Sequence, residues 1–475
     1  MAEAETLLRS SIRELAPRIR SGEVSPVEVT EAALARLERL QPMLNSFVTV
    51  IAERALSAAR AREAAIRGGD YRGPLDGVPI GIKDAIATKG IRSTDGTKAL
   101  ADYVPNESAP AVEKLENAGA VVLGKENMHE LAAGGTSTNP HYGAVRNPWN
   151  LDYIPGGSSG GSGANVSAGI TFASLGGDIG GSIRYPAHCC SVVGLKPSFG
   201  RVSQRGSLAT SFWGQHLGPI TRTVADCALV LQAIAGYDPL DPTSVPVSVP
   251  DYSEGLGGGV EGMTIGVPLD HYFDLIDDDV ERIVHQAVLT LEALGASVVD
   301  IRLPQAAFEP VYWVGLIAET FSANETLLRE RRADFTYPLA VAALSGQFLS
   351  AKDYLHVQMW KLALRRDFSE AFQVVDVIAT PPAPTPAIPI GAESIVIKGE
   401  LLELTGRDAV LGRDLCLSNA TGHPAICVPA GFSQEGLPIG LQLIGRHFDE
   451  AALLRVAATL EASSPAAGKW PPIAS

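Results

Sequence analysis

The sequence predicts an α/β fold, a β-sheet covered by helices on both faces, on two observations. Short β-branched runs alternate with helical stretches through much of the chain, as strands and their crossover helices do in such folds. The chain is also long and apolar enough to bury a large core, with 475 residues, 46% of them hydrophobic and 19% charged. In order, Ser25-Pro26 opens a capped helix over Val27 to Leu40, and the alanine- and arginine-rich stretch Ala52 to Ile66 reads as a second helix. Val78 to Ile86 reads as strand, Ala109 to Ala118 as helix and Ala120 to Leu123 as strand; the short run Ile170 to Ser174 just precedes a glycine-rich segment. Helix is expected over Val224 to Gly236, strand over Thr264 to Val267, helix over Asp278 to Leu294 and strand over Ser297 to Ile301. From Gln305 to about Arg366 the pattern is helical and aromatic. Strand returns over Val374 to Thr380, before the proline-rich loop Pro381 to Pro389. A strand pair, Ala425 to Val428 and Leu437 to Ile444, and a helix from Glu450 to Glu461 close the chain. No internal repeat or long linker is visible.

The bulk numbers exclude some functions. A net charge of −15 argues against general nucleic-acid binding, because phosphate backbones need a basic surface. Met1 to Arg20 carries acids and no apolar core of a signal peptide, and no run approaches the ~20 apolar residues of a membrane span. The five cysteines (Cys189, Cys190, Cys227, Cys416, Cys427) form no C-x-x-C pair, so they read as small buried hydrophobes in a reducing compartment. The cytoplasm is the expected location. The nine histidines show no metal-binding spacing. No metal or cofactor is expected.

Chemistry concentrates in three places. Lys83 lies in the apolar run Gly77-Val78-Pro79-Ile80-Gly81-Ile82-Lys83-Asp84. Seventy-five positions on comes Gly156-Gly157-Ser158-Ser159-Gly160-Gly161-Ser162-Gly163, and 24 beyond Ser158 comes Ser182, within Gly176-Gly177-Asp178-Ile179-Gly180-Gly181-Ser182-Ile183-Arg184. A serine hydroxyl is a weak nucleophile until a base removes its proton, and a lysine kept neutral by a dry setting can be that base. Lys83 among Val78, Ile80, Ile82 and Ile86 has such a setting; the plainer alternative is a strand-end lysine paired with Asp84. Ser182 is the expected nucleophile, because bare glycines before it let backbone N–H groups converge as an oxyanion hole. The plainer alternative there is an ordinary tight turn.

These segments, in this order, resemble the amidase signature family, as do Asn419-Ala420-Thr421-Gly422-His423-Pro424 and Gly436-Leu437-Pro438-Ile439-Gly440 downstream. The resemblance covers almost the whole chain. It implies a single domain over 1–475 built on a mixed central sheet of many strands between helical layers. Within it lie an N-terminal helical part (1–66), a catalytic core (67–235) and a variable helical part around the substrate pocket (305–366). It implies a Ser-cisSer-Lys triad of Ser182, Ser158 and Lys83, with a cis peptide before Ser158 and a covalent acyl-enzyme. The oxyanion hole maps onto the N–H groups of Ile179, Gly180, Gly181 and Ser182. Ser159 and Ser162 are expected to hold the loop, and Asp178 and Arg184 to brace it. Met128, Leu131 and Thr136 are the implied substrate contacts, with Trp213 and Gln215 where the family commonly carries an aspartate.

Two other readings compete. Gly156 to Gly160 also fits the G-x-S-x-G nucleophile elbow, but Asn147 to Pro155 before it reads as loop, not strand. Within the family, the glutaminase component of glutamyl-tRNA amidotransferase releases ammonia from glutamine and works with partner proteins. Asn419 to Pro424 looks closer to the free-standing amidases, and no glutamine-recognising arginine stretch is evident around Arg329 to Arg366. The expected substrate is a small amide with an apolar or aromatic part; carbamates, hydrazides and esters stay open, as does a homodimer. Among Phe308, Tyr312, Trp313, Phe321, Tyr337, Phe348 and Tyr354, some are expected to line the pocket and others to fill helix cores.

Overall fold

The computed structural model describes residues 2–208, 211–404 and 409–474. An eleven-stranded sheet runs through it. In chain order its strands are β1 (Phe47–Val50), β2 (Pro79–Lys83), β3 (Val121–Glu126), β4 (Ala173–Asp178), β5 (Val193–Lys196), β6 (His216–Thr221), β7 (Thr264–Pro268), β8 (Ser297–Ile301), β9 (Val377–Thr380), β10 (Ala425–Phe432) and β11 (Pro438–Gly445). Side by side they run β1-β3-β2-β4-β6-β5-β10-β11-β9-β7-β8. β2 is parallel to β3 and β4, and β7 is parallel to β9 and β8. The other neighbours are antiparallel, so the sheet is mixed.

Successive strand residues point to opposite faces, and both faces are apolar. Val377 and Ala379 join one core with Ile426, Val428, Leu441 and Leu443, while Ile378, Ala425 and Ile444 join another. The first core is closed by helices carrying Leu231, Val284 and Leu454, the second by Leu364, Phe368 and Leu417. Strands buried on both sides read as nearly continuous apolar runs, which is why β2, β3, β10 and β11 are legible.

Local chemistry sets the ends. The helix Pro26–Leu44 starts with a capping box, in which Ser25 and Glu28 satisfy each other's end of the first turn, and Pro26 takes the first helical position. The 305–366 region holds the helices Pro310–Glu330, Tyr337–Ser345 and Ala351–Ala371, the last running past the expected end. Differences from expectation cluster near the site. β4 is Ala173–Asp178, so Gly176 and Gly177 are strand residues, and Gly176 is packed too tightly for a side chain: a β-carbon there would lie 2.9 Å from Ile183 Cγ1. The helix Gly160–Ser167 is made of poor helix formers, yet every residue in it is buried. Packing against its neighbours overrides propensity there.

Candidate active site

β2 and β4 are adjacent and parallel, with Ile82 beside Leu175, so their carboxyl ends open together. β2 ends on Lys83, and β4 runs out into the loop Ile179–Ile183 before the helix Arg184–Cys190. The first serine segment meets this loop from Gly156–Ser159, with a cis peptide between Gly157 and Ser158. No strand leads into it: 147–155 is turns and loop apart from isolated bridge residues, which removes the nucleophile-elbow geometry.

Lys83 is 1% exposed. Its Nζ donates to Ser158 Oγ at 2.7 Å and to Gly177 O at 3.1 Å, both neutral oxygens. Asp84 is not its partner: Asp84 Oδ2 accepts from the Thr94 backbone at 2.9 Å and from the Thr94 hydroxyl. Burial pushes the Lys83 ammonium down to about 8, against the pull of Asp95 and Asp178. The Ser158 carbonyl is fixed by the N–H of His129 at 3.1 Å, and Ser137 Oγ reaches it at 3.4 Å. Ser159 stitches the two segments together, its hydroxyl donating to Gly177 O at 3.1 Å and its N–H to Ser182 O at 3.2 Å. Ser162 bonds elsewhere, to Glu126 Oε2 at 2.6 Å.

Asp178 and Arg184 are both wholly buried and paired. Arg184 Nη2 reaches Asp178 Oδ1 at 2.8 Å and Nε reaches Oδ2 at 3.0 Å. Burial works to raise the Asp178 carboxyl, but the charge and hydrogen bonds of Arg184, with those of Asn419, hold it well below the usual carboxylate range. Asp178 also accepts from the N–H of Ile183 at 3.0 Å and of Gly181 at 2.8 Å. That corrects the expected oxyanion hole, since the Gly181 N–H is already bound inside the loop. The N–H groups of Ile179, Gly180 and Ser182 donate to nothing among the described residues. Gly181 has φ +114°, and a β-carbon there would meet Leu415 Cδ1 at 2.5 Å, so only glycine fits.

Ser182, Ile179, Gly180 and Gly157 face one cavity, closed by Ala132–Gly135, Tyr185, Trp313, Leu316, Thr320 and Gly412. None of these side chains is charged. Trp313 is the main wall. Its indole N–H is held by Glu309 Oε1, and a β-carbon on Gly180 would lie 2.8 Å from Trp313 Cη2, so the ring rests against the loop Ile179–Ile183. The neighbouring Tyr312 hydroxyl donates to Ile179 O.

The expected substrate contacts fare differently. Met128 is wholly buried, and Leu131 packs in a core with Leu328, Phe335, Ala340 and Ala343; neither lines the cavity. Thr136 opens on a neighbouring hollow with His129 and Thr138. Trp213 stacks on Phe199 and borders an outer groove with Phe212 and Tyr354. Gln215 lies beside Gly177 and donates to Ser207 Oγ at 2.9 Å, outside the cavity lining. The aromatic candidates divide as well: Trp313 lines the cavity, whereas Phe308, Tyr337 and Phe348 are exposed. Trp313, Leu316 and Thr320 share helical spacing i, i+3, i+7, a signal that could have singled out this face.

The chain belongs to the amidase signature family: the family model described as Amidase matches residues 28–454. The A component of glutamyl-tRNA(Gln) amidotransferase from Geobacter metallireducens is 42% identical over 479 residues, covering 95% of this chain and 96% of its own. Among solved structures, a protein described with a vestigial complex that reveals the evolutionary origins of an s-triazine catabolic enzyme superposes with a TM-score of 0.91 at 33% identity, over 96% of this chain and 98% of its own. A bacterial aryl acylamidase of the same family superposes with a TM-score of 0.88 at 30% identity over 96% of both chains. The fold is therefore the amidase signature fold. No described helix is long and apolar enough to cross a membrane.

Proposed function

We propose that this chain hydrolyses a carbon–nitrogen amide-type bond of a small apolar or aromatic substrate through an acyl-enzyme on Ser182. The observation that carries the reading is the Lys83–Ser158 hydrogen bond of 2.7 Å: a buried amine, paired with no carboxylate, aimed at a serine beside the nucleophile loop. Ser182 attacks the substrate carbonyl while its proton passes through Ser158 to neutral Lys83. The oxyanion forms against the N–H groups of Ile179, Gly180 and Ser182, in a setting where fixed donors need no reorganisation. As the carbon–nitrogen bond breaks, Ser158 returns a proton to the leaving amine. Water, deprotonated by the same relay, then releases the acid from Ser182.

The cavity lining, uncharged among the described residues, supports an apolar or aromatic group over an amino acid, whose ammonium and carboxylate would lose water without gaining partners there. The second reading, a glutamine-hydrolysing component of a tRNA-dependent amidotransferase, is favoured by the 42% identity to the Geobacter protein. Against it, Arg329 and Arg366 pair with Glu325 and Glu370 on the surface, and no arginine among the described residues lines the cavity. Purified chain offered aryl amides, carbamates, aliphatic amides and glutamine separates the two. Release of arylamine without ammonia from glutamine supports the first reading. Ammonia from glutamine, with aryl amides untouched, overturns it.

A further inference from the structure

Asp95 is wholly buried, and neither of its carboxylate oxygens has a hydrogen-bond partner among the described residues. Other buried carboxylates around this sheet are treated differently. Glu126 accepts from Ser162, Asn165 and Ser174, and Asp178 from Arg184, Asn419 and two backbone N–H groups. An acid buried for structure alone is satisfied in this way, because an unpaired buried carboxylate works against folding. The chain nevertheless holds Asp95 in place by its backbone. Its carbonyl accepts from Leu131 N at 2.9 Å, its φ is +49°, and the preceding Thr94 is clamped to Asp84, the residue after Lys83.

The charged groups that face it are Lys83 on β2, Asp84 just beyond, Lys125 on β3 and Glu130. All four are hydrogen-bonded elsewhere, Lys83 to Ser158 and Gly177. Asp84 accepts from Thr94; Lys125 donates to Ser93 Oγ at 2.8 Å, Thr88 and the Ile86 carbonyl; Glu130 accepts from Thr97, Thr336 and His141. Lys83 is the strongest of the charges acting on Asp95, and Asp95, ahead of Asp178, is the strongest acting on Lys83. His129 also faces Lys83, but burial holds it neutral, down to about 4.

We propose that Asp95 is a positioning residue for the reaction: its unpartnered carboxyl sets the charge state of the Lys83 base. The inference rests on Lys83 acting as that base. Two ionisable groups in one dry pocket share their protons rather than titrating apart. Burial pushes the Asp95 carboxyl up to about 8 while the charge of Lys83 pulls it back, and where Asp95 ionises it favours the Lys83 ammonium, so the amine takes up a proton at higher pH than burial alone would allow. The coupling thereby makes Lys83 a stronger acceptor for the serine proton than burial alone would leave it.

The test reads the rate at which a fluorophosphonate modifies Ser182, as a function of pH, in the parent, Asp95→Asn and Asp95→Gly. Both replacements remove the charge and tolerate a left-handed backbone, so at least one retains the fold. The acidic limb of the profile is expected to move down by about one pH unit, the tenfold scale of one nearby opposite charge. The plateau rate is expected to fall as Lys83 becomes a weaker base. A folded variant of either kind whose limb stays at the parent's pH overturns the proposal. Lys83→Ala, run alongside, separates the two ideas: parent-like labelling there removes Lys83 as the base, whereas lost labelling with an unmoved Asp95 limb removes only the role of Asp95.

Discussion

Lys83 and Arg184 are both fully buried cations on the two sides of the nucleophile loop, and the protein treats them in opposite ways. Arg184 is saturated: besides Asp178 it reaches Leu415 O, Ser418 Oγ, Gln442 Oε1 and Asn419 Oδ1 at 2.6–2.8 Å. Lys83 has two neutral oxygens and no carboxylate within hydrogen-bond reach. Saturation fixes the loop through Asp178, joining β4 to the segment Leu415–Asn419. Withholding an anionic partner keeps the amine close to losing its proton. On the proposed mechanism one buried cation serves architecture and the other chemistry, and at equal depth of burial their hydrogen-bond partners make the difference.

The largest effects expected are on turnover. Ser182→Ala and Lys83→Ala should each lower it by at least about 10³-fold, since residues acting as a unit fail together. Circular dichroism of both variants should match the parent. An active Ser182→Ala enzyme contradicts the scheme outright. Arg184→Met should instead strike stability, by about 3–5 kcal/mol in denaturant unfolding, because it leaves Asp178 charged, buried and unpaired. Lys83→Met, of similar bulk, should lose clearly less; equal losses would erase the contrast between the two cations.

The next effect is on pH dependence. Lys83 works as the neutral amine and is pushed down to about 8, so kcat/KM should fall tenfold per unit as pH drops below about 8 and level off above it. A flat profile between pH 6 and 9 would remove lysine from the step. Trp313→Ala should act on selectivity, lowering kcat/KM for aryl amides about 10- to 100-fold relative to small aliphatic ones, the scale of a lost apolar contact. Phe348, 82% exposed on the same helical layer, gives the smallest effect: Phe348→Ser should stay within about 0.5 kcal/mol of the parent.

Much of this is legible in the sequence where one residue type has few alternative uses. Lys83 in an apolar run and Ser182 behind paired glycines are readable because a bare lysine and a glycine-flanked serine are hard to place in a core otherwise. The strands β10 and β11 declare themselves as apolar runs. β6 does not, because Gly218 and Pro219 inside it look like turn residues. The cavity wall is less legible, since a pocket is a relation between distant segments. Met128 and Leu131 have the right side chains, but the backbone turns them into cores; Leu131 itself has φ +48°. Trp313 looks like any helix aromatic until the loop at Gly180 lies against it. The family resemblance puts the Gly181 N–H in the hole, but its capture by Asp178 depends on a three-residue turn that the sequence pattern does not fix.

The most direct test of the central claim is mass spectrometry of the protein after reaction with a fluorophosphonate. The account predicts a single adduct on Ser182, absent in Ser182→Ala and strongly slowed in Lys83→Ala. An adduct on Ser158, or full labelling of Ser182 without Lys83, would contradict it.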